Sequence, residues 1–505
     1  MSIEGLFQSS GMRIADFFRI QSLLYRNDPS LQDYFMQLQL DARSNCIAKP
    51  KESRLSRRLF HKAIRSVDSV SRLQPRRKLQ TDVLFCPMPY FGRKTENEFL
   101  IRTLLGLAQT DAKVLCLLPD NAPFRTELVT QLEASKRRGQ VEFIDPTAVS
   151  NRVEARLRSR IVRARGATAF ERTVSILEPL GLGPSPNAKW GFEHLAYYVE
   201  AWERLAQDVE FEFVVARCHW HALCSPVCRT GLQRGRPVIT FQQGVIGHTL
   251  DVPVTASKYV AFGQSSASFL SQMNRKFIEV CGLPEPATEY IAGGSLYDTV
   301  TALQEQFALR TVLMVDVNWP TAQAEFYGVE SQCQALLEVA EKLLRSNAPL
   351  RRLIIRPHPF WNNLDFEACQ RLIRKHSMRC ELSHPTWSLE DDLRRSSTVV
   401  GICSGVLTIA SACGLPTFFI QTDRGYTTGD LACFAPGQTL LPDAMFNEIS
   451  RILKDRNAYL EARLLALRNA SEYYKDGENA DLSGKFFERL LVAKLARGVQ
   501  VESIQ

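Results

Sequence analysis

Two short segments of this sequence follow apolar runs and carry groups that can bind an anion. Residues 356–359 (RPHP) follow the run at 353–355, and residues 403–405 (CSG) follow the run at 399–402. Each run predicts a buried parallel strand. In open α/β sheets, ligands bind beyond the carboxyl ends of strands, often against the N-terminus of the next helix. The imidazole of His358, the hydroxyl of Ser404 and free backbone N–H groups at these positions are suited to binding a nucleotide phosphate.

The rest of the chain predicts two α/β units around these segments. At 505 residues, with 45% hydrophobic and 23% charged residues, it has a globular composition and is too long for a single ordinary core. Strand-like runs, such as the one at 378–381, alternate with helical periodicity, such as that at 445–465, which predicts mostly parallel sheets. We predict a basic helical extension at 1–80, Rossmann-like domains at 81–303 and 304–470, and C-terminal helices at 471–505 that pack back across both domains. A cleft between two sets of strand ends could hold one substrate in each half.

The net charge of +8 is concentrated near the N-terminus. Residues 43–78 contain twelve Lys or Arg and two acids, so the remainder of the chain is close to neutral. Within this segment, residues 54–67 have the spacing of an amphipathic helix surrounded by basic residues. Such a helix could lie on an anionic membrane surface, or it could be a solvated helix that packs on the next domain.

The thirteen cysteines are an odd number and form no C-x-x-C pair, which argues against a disulfide framework and for a reducing compartment. Most lie in apolar runs, where Cys acts as a small hydrophobe. Residues 218–221 (CHWH), followed by Cys224 and Cys228, suggest zinc at first sight. Their spacing places them at a strand end and along the next helix without a second ligand pair, so we expect no metal there. We expect His219 or His221 to line the cleft instead.

Residues 396–422 carry no charge and are long enough to cross a bilayer. Glycines, Pro416 and hydroxyl side chains divide this stretch into strand, turn, helix, turn and strand, so we do not expect a membrane span. The N-terminus lacks the apolar core of a signal peptide. These features predict a cytoplasmic protein, either free or peripheral on the inner face of the cytoplasmic membrane.

Taken together, the motifs resemble the GT-B glycosyltransferases, in particular bacterial capsule and lipopolysaccharide enzymes that use CMP-activated sugars such as Kdo or sialic acid. Residues 356–359 resemble the His-Pro motif of those families, and 404–405 their serine-containing phosphate loop. Residues 240–244 (TFQQG) resemble a strand-end motif of related capsule and polyol-phosphate transferases. Residues 261–263 (AFG) and 293–298 (GGSLYD) resemble the paired segments that follow it. The resemblance covers residues 81 to 430.

This resemblance implies an α/β fold in which two Rossmann-like domains face a cleft, and an inverting sugar transfer that needs no metal and no cofactor. His358 would then donate to the donor phosphate or the cytidine and stabilise charge as the glycosidic bond breaks. The alternative is that His358 is only a capped histidine at the end of its strand. Ser404 would contact the phosphate, cap the following helix, or do both. The implied donor-binding residues are Arg356, His358, Pro359, Ser404, Gly405, Gln243, Gly244 and Ser295.

An inverting transfer also needs a general base for the acceptor hydroxyl, which in this family usually comes from the first domain. Glu96 and Glu98 follow the first strand and are the leading candidates, and His248 and Asp251 come next. The alternative is that acids in the first turn of a helix only complement its dipole. Arg93 and Lys94 could hold an anionic acceptor or the donor carboxylate, and His219 could also contact the acceptor.

Two departures from the family pattern bear on the donor. Gln243 occupies the position at which many relatives have a His before the glycine. Ile409 or Ala410 falls near the position at which many GT-B enzymes have a Glu that binds the ribose. These departures favour a CMP-sugar over a UDP- or GDP-sugar, with a surface polysaccharide or glycolipid as acceptor. A polyol-phosphate transferase or a sugar-nucleotide epimerase of the same architecture is the alternative within enzymes.

A run of arginines from 152 to 165 remains outside these motifs. It could bind an anionic glycan, a lipid head group or nucleic acid, or it could form a solvated helical face. A non-catalytic protein that binds an anionic polymer is therefore the alternative of another class. It predicts salt-sensitive binding that survives the loss of His358. No nucleic-acid-binding motif is present, so nucleic acid is not the expected partner.

Overall fold

The structure, a computed structural model, describes most of the chain from residue 78 to residue 492. The described residues are 23–24, 26–27, 31, 78–87, 94–118, 125–135, 140–148, 152–180, 189–242, 244, 246, 252–282, 287–294, 303–316, 329–357, 366–384, 387–402, 404–422, 434–474 and 482–492. The predicted membrane-surface helix at 54–67 lies outside them.

The first unit is one parallel sheet with helices between its strands. Its strand order is β3-β2-β1-β4-β5-β6-β7, and every strand pair in it is parallel. Its elements in chain order are β1 (Leu79–Cys86), α1 (Lys94–Gln109), β2 (Val114–Leu117), α2 (Arg125–Ala134), β3 (Val141–Ile144), α3 (Arg152–Leu177), α4 (Lys189–Ala206), β4 (Val209–Ala216), α5 (Cys224–Gln233), β5 (Val238–Phe241), β6 (Lys258–Ala261), α6 (Gln264–Cys281) and β7 (Glu289–Ala292).

The second unit repeats this architecture with the parallel strand order β10-β9-β8-β11-β12-β13. Its elements are β8 (Thr311–Val315), α7 (Val329–Arg345), β9 (Arg352–Arg356), α8 (Phe366–Lys375), β10 (Cys380–Leu382), α9 (Leu389–Arg394), β11 (Thr398–Gly401), α10 (Gly405–Ala412), β12 (Thr417–Ile420), α11 (Ala435–Gln438), β13 (Thr439–Leu440), α12 (Pro442–Lys454) and α13 (Arg456–Tyr473). A further helix, α14 (Gly484–Val492), follows them along the chain. The predicted α/β fold with two Rossmann-like units is confirmed.

The central strands of the second sheet have the apolar composition that buried parallel strands require. All residues of β8, β11 and β12 are buried, as expected for parallel strands covered by helices on both faces. The strand order reverses between β1 and β4 in the first sheet and between β8 and β11 in the second. Such reversal points create the crevice in which doubly wound sheets bind their ligands.

Three element predictions need correction. The helix expected at 445–465 is two helices, because Asp455 separates α12 from α13 and its side chain caps α13 by accepting the N–H of Asn457 at 2.8 Å. β10 begins at Cys380 and not at Met378, since the N–H groups of Arg379 and Cys380 both bond back to the carbonyl of His376. The short α11 and β13 were not predicted.

The uncharged stretch at 396–422 folds as predicted, into β11, α10 and β12. None of the helices in the described ranges is long and apolar enough to cross a bilayer.

The C-terminal segment returns to the first unit after α13. The backbone N–H of Gly484 donates to Gln109 Oε1 at 2.9 Å, and Lys258 Nζ donates to the carbonyl of Leu490 at 3.1 Å. The ring of Phe487 lies edge-on to Phe241 with centroids 6.4 Å apart. α14 therefore completes the core of the first unit, and the domain boundaries at 303 and 470 stay predictions.

Candidate functional site

The carboxyl edge of the second sheet brings the two predicted anion-binding segments to one place. In the register of the sheet, Val315 at the end of β8 pairs with Arg356 of β9 on one side and Gly401 of β11 on the other. The ends of β9 and β11 are therefore about 10 Å apart, two interstrand spacings. His358 and Pro359, two and three residues beyond β9, lie outside the described residues.

The start of α10 has the features of an anion site. Ser404 is the N-cap, and its Oγ accepts the N–H of Val406 at 3.3 Å. A Cβ placed on Gly405 would meet no atom of the described residues within 4 Å, so these residues leave the space beside this backbone open. The capping alternative for Ser404 is thus observed. Because the N–H of Val406 donates to Ser404 Oγ and that of Leu407 donates to the Ser404 carbonyl at 3.0 Å, the N–H of Gly405 and the O–H of Ser404 are the donors that the described residues leave for an anionic ligand.

Arg356 lies at this edge, but its side chain is directed toward α9. Its Nη1 pairs with the carboxylate of Asp392, which is fully buried, and it also lies 3.2 Å from Ser383 Oγ. Ser383 in turn donates to the same carboxylate oxygen at 2.6 Å. This arrangement indicates a structural ion pair that fixes the end of β9 against α9, and the donor-binding role of Arg356 stays a prediction.

At the carboxyl edge of the first sheet, Gln242 ties together the ends of two strands. Its Oε1 accepts the N–H of Phe262 at 2.7 Å, and its Nε2 donates to the carbonyl of Gly244 at 2.6 Å. Its Nε2 also lies 3.3 Å from the hydroxyl of Tyr473, at the end of α13. Within the 240–244 motif, Gln242 is therefore a structural residue, and Gln243 lies outside the described residues.

Tyr473 and Tyr474, which we call the tyrosine junction, connect this edge to α10. The rings of Phe262 and Tyr473 lie 6.3 Å apart, edge to face, and the Tyr474 hydroxyl lies 3.0 Å from Thr408 Oγ1. Thr408 lies one turn after Ser404. The carboxyl edge of the first sheet and the helix that begins at Ser404 thus meet through two consecutive tyrosines.

The described residues contain little of the predicted base and acceptor site. Glu98 is half-buried in α1, whose first turn also contains Lys94 and Glu96, although nothing of their side chains is described. The other predicted residues of this group and of the first-sheet motifs lie outside the described residues: Arg93, His248, Asp251 and Ser295. Their roles stay predictions.

His219 and His221, expected to line the cleft, pack against tyrosines. His219 is 2% exposed, and its ring lies edge-on to Tyr259 with centroids 5.9 Å apart. The His221 ring lies 6.3 Å from that of Tyr198, and its Nδ1 accepts the N–H of Leu223. This packing indicates structural histidines, and acceptor binding by His219 stays a prediction.

Arg217 lies in none of the motifs described above, yet it stabilises the carboxyl edge of the first sheet. It follows β4 at the reversal point of the first sheet and is fully buried. Its Nη1 donates to the carbonyl of Gln242 at 3.0 Å, and its guanidinium lies over the ring of Phe99, 4.2 Å from the centroid. A cation directly after a buried strand was the available signal, because such a charge is buried only when hydrogen bonds satisfy it.

Four buried cysteines of the first unit cluster around the end of β4 and the start of α5: Cys86, Cys218, Cys224 and Cys228. The sulfur atoms of Cys86 and Cys224 are 3.7 Å apart. Burial raises the pKa of Cys86 and raises the pKa values of Cys218, Cys224 and Cys228 further. Within the described residues, no group of three or more His, Cys, Asp or Glu side chains could hold a metal ion. The cluster is therefore apolar packing made with thiols.

This packing predicts that the native protein reacts slowly with a thiol reagent. The side chains of nine of the thirteen cysteines are described, and all nine are free and buried. Burial also raises the pKa of Cys380 and of Cys413 to about 12, so both stay protonated at pH 8. Titration with Ellman's reagent should detect at most four fast thiols per native chain and all thirteen in denaturant. A fifth fast thiol in the folded protein would contradict the described burial.

Comparison with known proteins finds similarity only among solved structures. No family model matches the chain, and no curated protein is similar enough to count as a relative. Anabaena Alr3699/HepE in complex with UDP is 12% identical, with 81% of this chain and 99% of that chain covered and a TM-score of 0.41. UDP-GlcNAc 2-epimerase from Neisseria meningitidis, bound to UDP-GlcNAc, is 12% identical, with coverages of 81% and 100% and a TM-score of 0.46.

The N-terminal domain of Candida albicans trehalose-6-phosphate phosphatase is 10% identical, with coverages of 83% and 98% and a TM-score of 0.48. Because these TM-scores and identities are low, the fold assignment rests on the two strand orders.

Proposed function

We propose that the protein is a GT-B glycosyltransferase that binds a nucleotide-sugar donor at the start of α10. The observation that carries this proposal is the open helix start at Ser404 and Gly405, at the carboxyl end of β11 and beside the reversal of strand order. The positive end of the helix dipole, the N–H of Gly405 and the O–H of Ser404 favour a phosphate at this position. The tyrosine junction holds this helix beside the strand ends of the first sheet, where an acceptor would bind.

In the reaction we propose, the acceptor hydroxyl attacks the anomeric carbon while the bond from that carbon to the nucleotide's phosphate oxygen breaks. A base of the first unit, Glu98 or Glu96 in preference to His248 or Asp251, takes the hydroxyl proton. The electron pair of the broken bond leaves on the phosphate, where His358, the Ser404 hydroxyl and the N–H of Gly405 stabilise the charge. The base accepts the proton and these donors stabilise the negative charge of the leaving phosphate, so the proposed reaction needs no metal ion.

We further propose a CMP-sugar such as CMP-Kdo or CMP-sialic acid as donor, and a cell-surface polysaccharide or glycolipid as acceptor. The absence of a carboxylate at Ile409 and Ala410 supports this choice, because a ribose-binding Glu would lie near there. Both residues are in α10, which holds the proposed phosphate site. We expect the enzyme to work in the cytoplasm, at or near the membrane surface where such acceptors are assembled.

Thermal-shift measurements with CMP, CDP, UDP and GDP test the donor site. A nucleotide that binds only the folded state, and is present at a concentration of a hundred times its Kd, stabilises that state by about 2.7 kcal/mol. Because CMP is the proposed cognate nucleotide, it should bind most tightly and raise Tm the most. Ser404→Ala should remove most of this nucleotide-dependent rise.

Ser388→Ala is the matched control, because Ser388 is also an N-cap and accepts the N–H of Asp391. Each variant loses about 1 kcal/mol of capping, but Ser388→Ala should keep the full response to CMP. If no nucleotide raises Tm, or both variants lose the response equally, the phosphate site is wrong. Release of CMP during transfer, measured against interconversion of UDP-sugars, separates the transferase from an epimerase.

A further inference from the structure

The outer face of α3 carries an apolar row that no described part of the protein covers. Val153, Leu157 and Ile161 follow one another at every fourth position and therefore line one side of the helix. Their side chains are 66%, 54% and 45% exposed, whereas most described Val, Leu and Ile side chains are buried. Three large apolar side chains in one exposed row form a continuous surface that water solvates poorly.

A basic row runs beside this apolar row on the same helix. Arg156 and Arg160 are exposed at every fourth position, and Arg163 extends the row by a turn. No carboxylate of the described residues lies within ion-pair distance of these three arginines. Arg163 Nε donates to the carbonyl of Ser159 at 3.2 Å, but the described residues provide no counter-charge for this row, which is therefore available to an outside partner.

The arginines on the opposite flank, toward α4, differ because they are paired. Arg158 pairs with Glu200, and Arg165 pairs with Glu203. A third bridge joins Arg204 of α4 to Glu154. The fold thus compensates the charges that hold α3 to α4 and leaves the charges of the outer face uncompensated.

The outer face is also held in place. Gly166 lies so close to α4 that a Cβ there would be 2.8 Å from the Cα of Glu193, and the rings of Phe170 and Phe192 pack edge to face at 5.6 Å. The buried side of α3, with Val162 and Ala169, belongs to one cluster with residues of α4. The apolar and basic rows are therefore presented on a rigid helix pair.

We propose that this face of α3 docks the protein on an anionic lipid bilayer. Apolar side chains beside a basic row are the pattern of helices that lie in the interface of a membrane. Val153, Leu157 and Ile161 enter the boundary between head groups and acyl chains, and the arginine row binds lipid phosphates, for which the guanidinium geometry is suited.

The apolar row favours an anionic bilayer over the other anionic partners. A soluble anionic glycan or a nucleic acid supplies charges for the arginines but no hydrocarbon to cover Leu157 and Ile161. A bilayer supplies both. The docking surface is independent of the proposed transfer chemistry, and it lies on a described helix rather than in the basic segment at 54–67.

Co-sedimentation of the full-length protein with phosphatidylcholine vesicles, with and without phosphatidylglycerol, tests this surface. We expect binding to the anionic vesicles only, with a partition coefficient that falls on the order of tenfold in each of the double variants L157E/I161E and R156E/R160E. Added salt should weaken binding of the wild type, since it screens the arginine contacts.

Two control variants match these changes elsewhere on the surface. M378E/L464E replaces apolar side chains that are 91% and 66% exposed, and R351E/R374E reverses two exposed arginines of the second unit. Both controls should bind anionic vesicles as the wild type does. The thermal shift with CMP should be unchanged in all four double variants, which separates this test from that of the nucleotide site.

Three results would overturn the proposal: no binding to anionic vesicles, equal binding to neutral vesicles, or equal losses in the control and α3 variants. Binding that is abolished by charge reversal within 54–67 and insensitive to both α3 variants would also overturn it, because the N-terminal segment would then be the membrane contact. Binding of a soluble polyanion that L157E/I161E leaves intact, without vesicle binding, would assign the arginines to a glycan or nucleic acid instead.

Discussion

Replacing Gly106 by alanine should destabilise the protein by about 3 kcal/mol or more, the upper end of the range for overpacking a core. Gly106 lies inside α1, where alanine would ordinarily add about 1 kcal/mol of helix propensity. Here, however, a Cβ would lie 1.8 Å from the carbonyl oxygen of Leu482, where the C-terminal segment crosses α1. Because the obstacle is backbone, it cannot be relieved by a change of rotamer, and the segment must move away. Urea denaturation of the purified variant measures the loss.

Gly263→Ala should act in the same way at the other crossing point, since its Cβ would lie 2.1 Å from the carbonyl oxygen of Tyr473. Gly405→Ala is the steric control, because its Cβ would meet no atom of the described residues within 4 Å, and the stability of this variant should change by less than about 1 kcal/mol. Wild-type stability in Gly106→Ala would mean that the C-terminal segment does not lie on α1.

Breaking the ion pair between Arg356 and Asp392 should give the second large effect, and the two single variants should differ. Arg356→Met leaves a fully buried carboxylate without its cation, which costs about 3–5 kcal/mol. Asp392→Leu should cost less, because the Arg356 side chain is 21% exposed and can turn toward water.

The double variant R356M/D392L should be more stable than R356M alone, because a buried ion pair can often be replaced by apolar residues at little cost. Denaturant unfolding of the four proteins gives the coupling energy, expected at about 2 kcal/mol or more for a contacting pair. Purely additive effects would contradict the ion pair. If R356M also keeps its thermal response to CMP, Arg356 is structural and does not bind the donor.

The strands and helices of the second unit could be predicted closely from the sequence. Runs such as 311–315 and 399–402 are apolar on both faces and end in turn residues, so the local pattern alone defines a buried parallel strand. The helix start at Ser404 was predictable for the same reason, because a serine before an apolar helical run is a capping signal.

The contacts between distant parts of the chain could not be predicted in this way. Gln242 and Tyr473 are 231 positions apart, and neither has a local pattern that points to the other. Arg356 was assigned to the donor from its position in the RPHP motif, while the pairing of its side chain depends on Asp392 in a helix that follows another strand. A motif gives the order of residues along a strand end but not the direction in which each side chain points.

The C-terminal return has a consequence for how the protein is made. Phe487 and its neighbours belong to the core of the first unit, but they are synthesised after all of the second unit. On the ribosome, α1 and Phe241 therefore keep an uncovered apolar surface until α14 has been synthesised. Such surfaces are sites at which nascent chains associate wrongly, so removal of α14 should affect soluble yield before it affects chemistry.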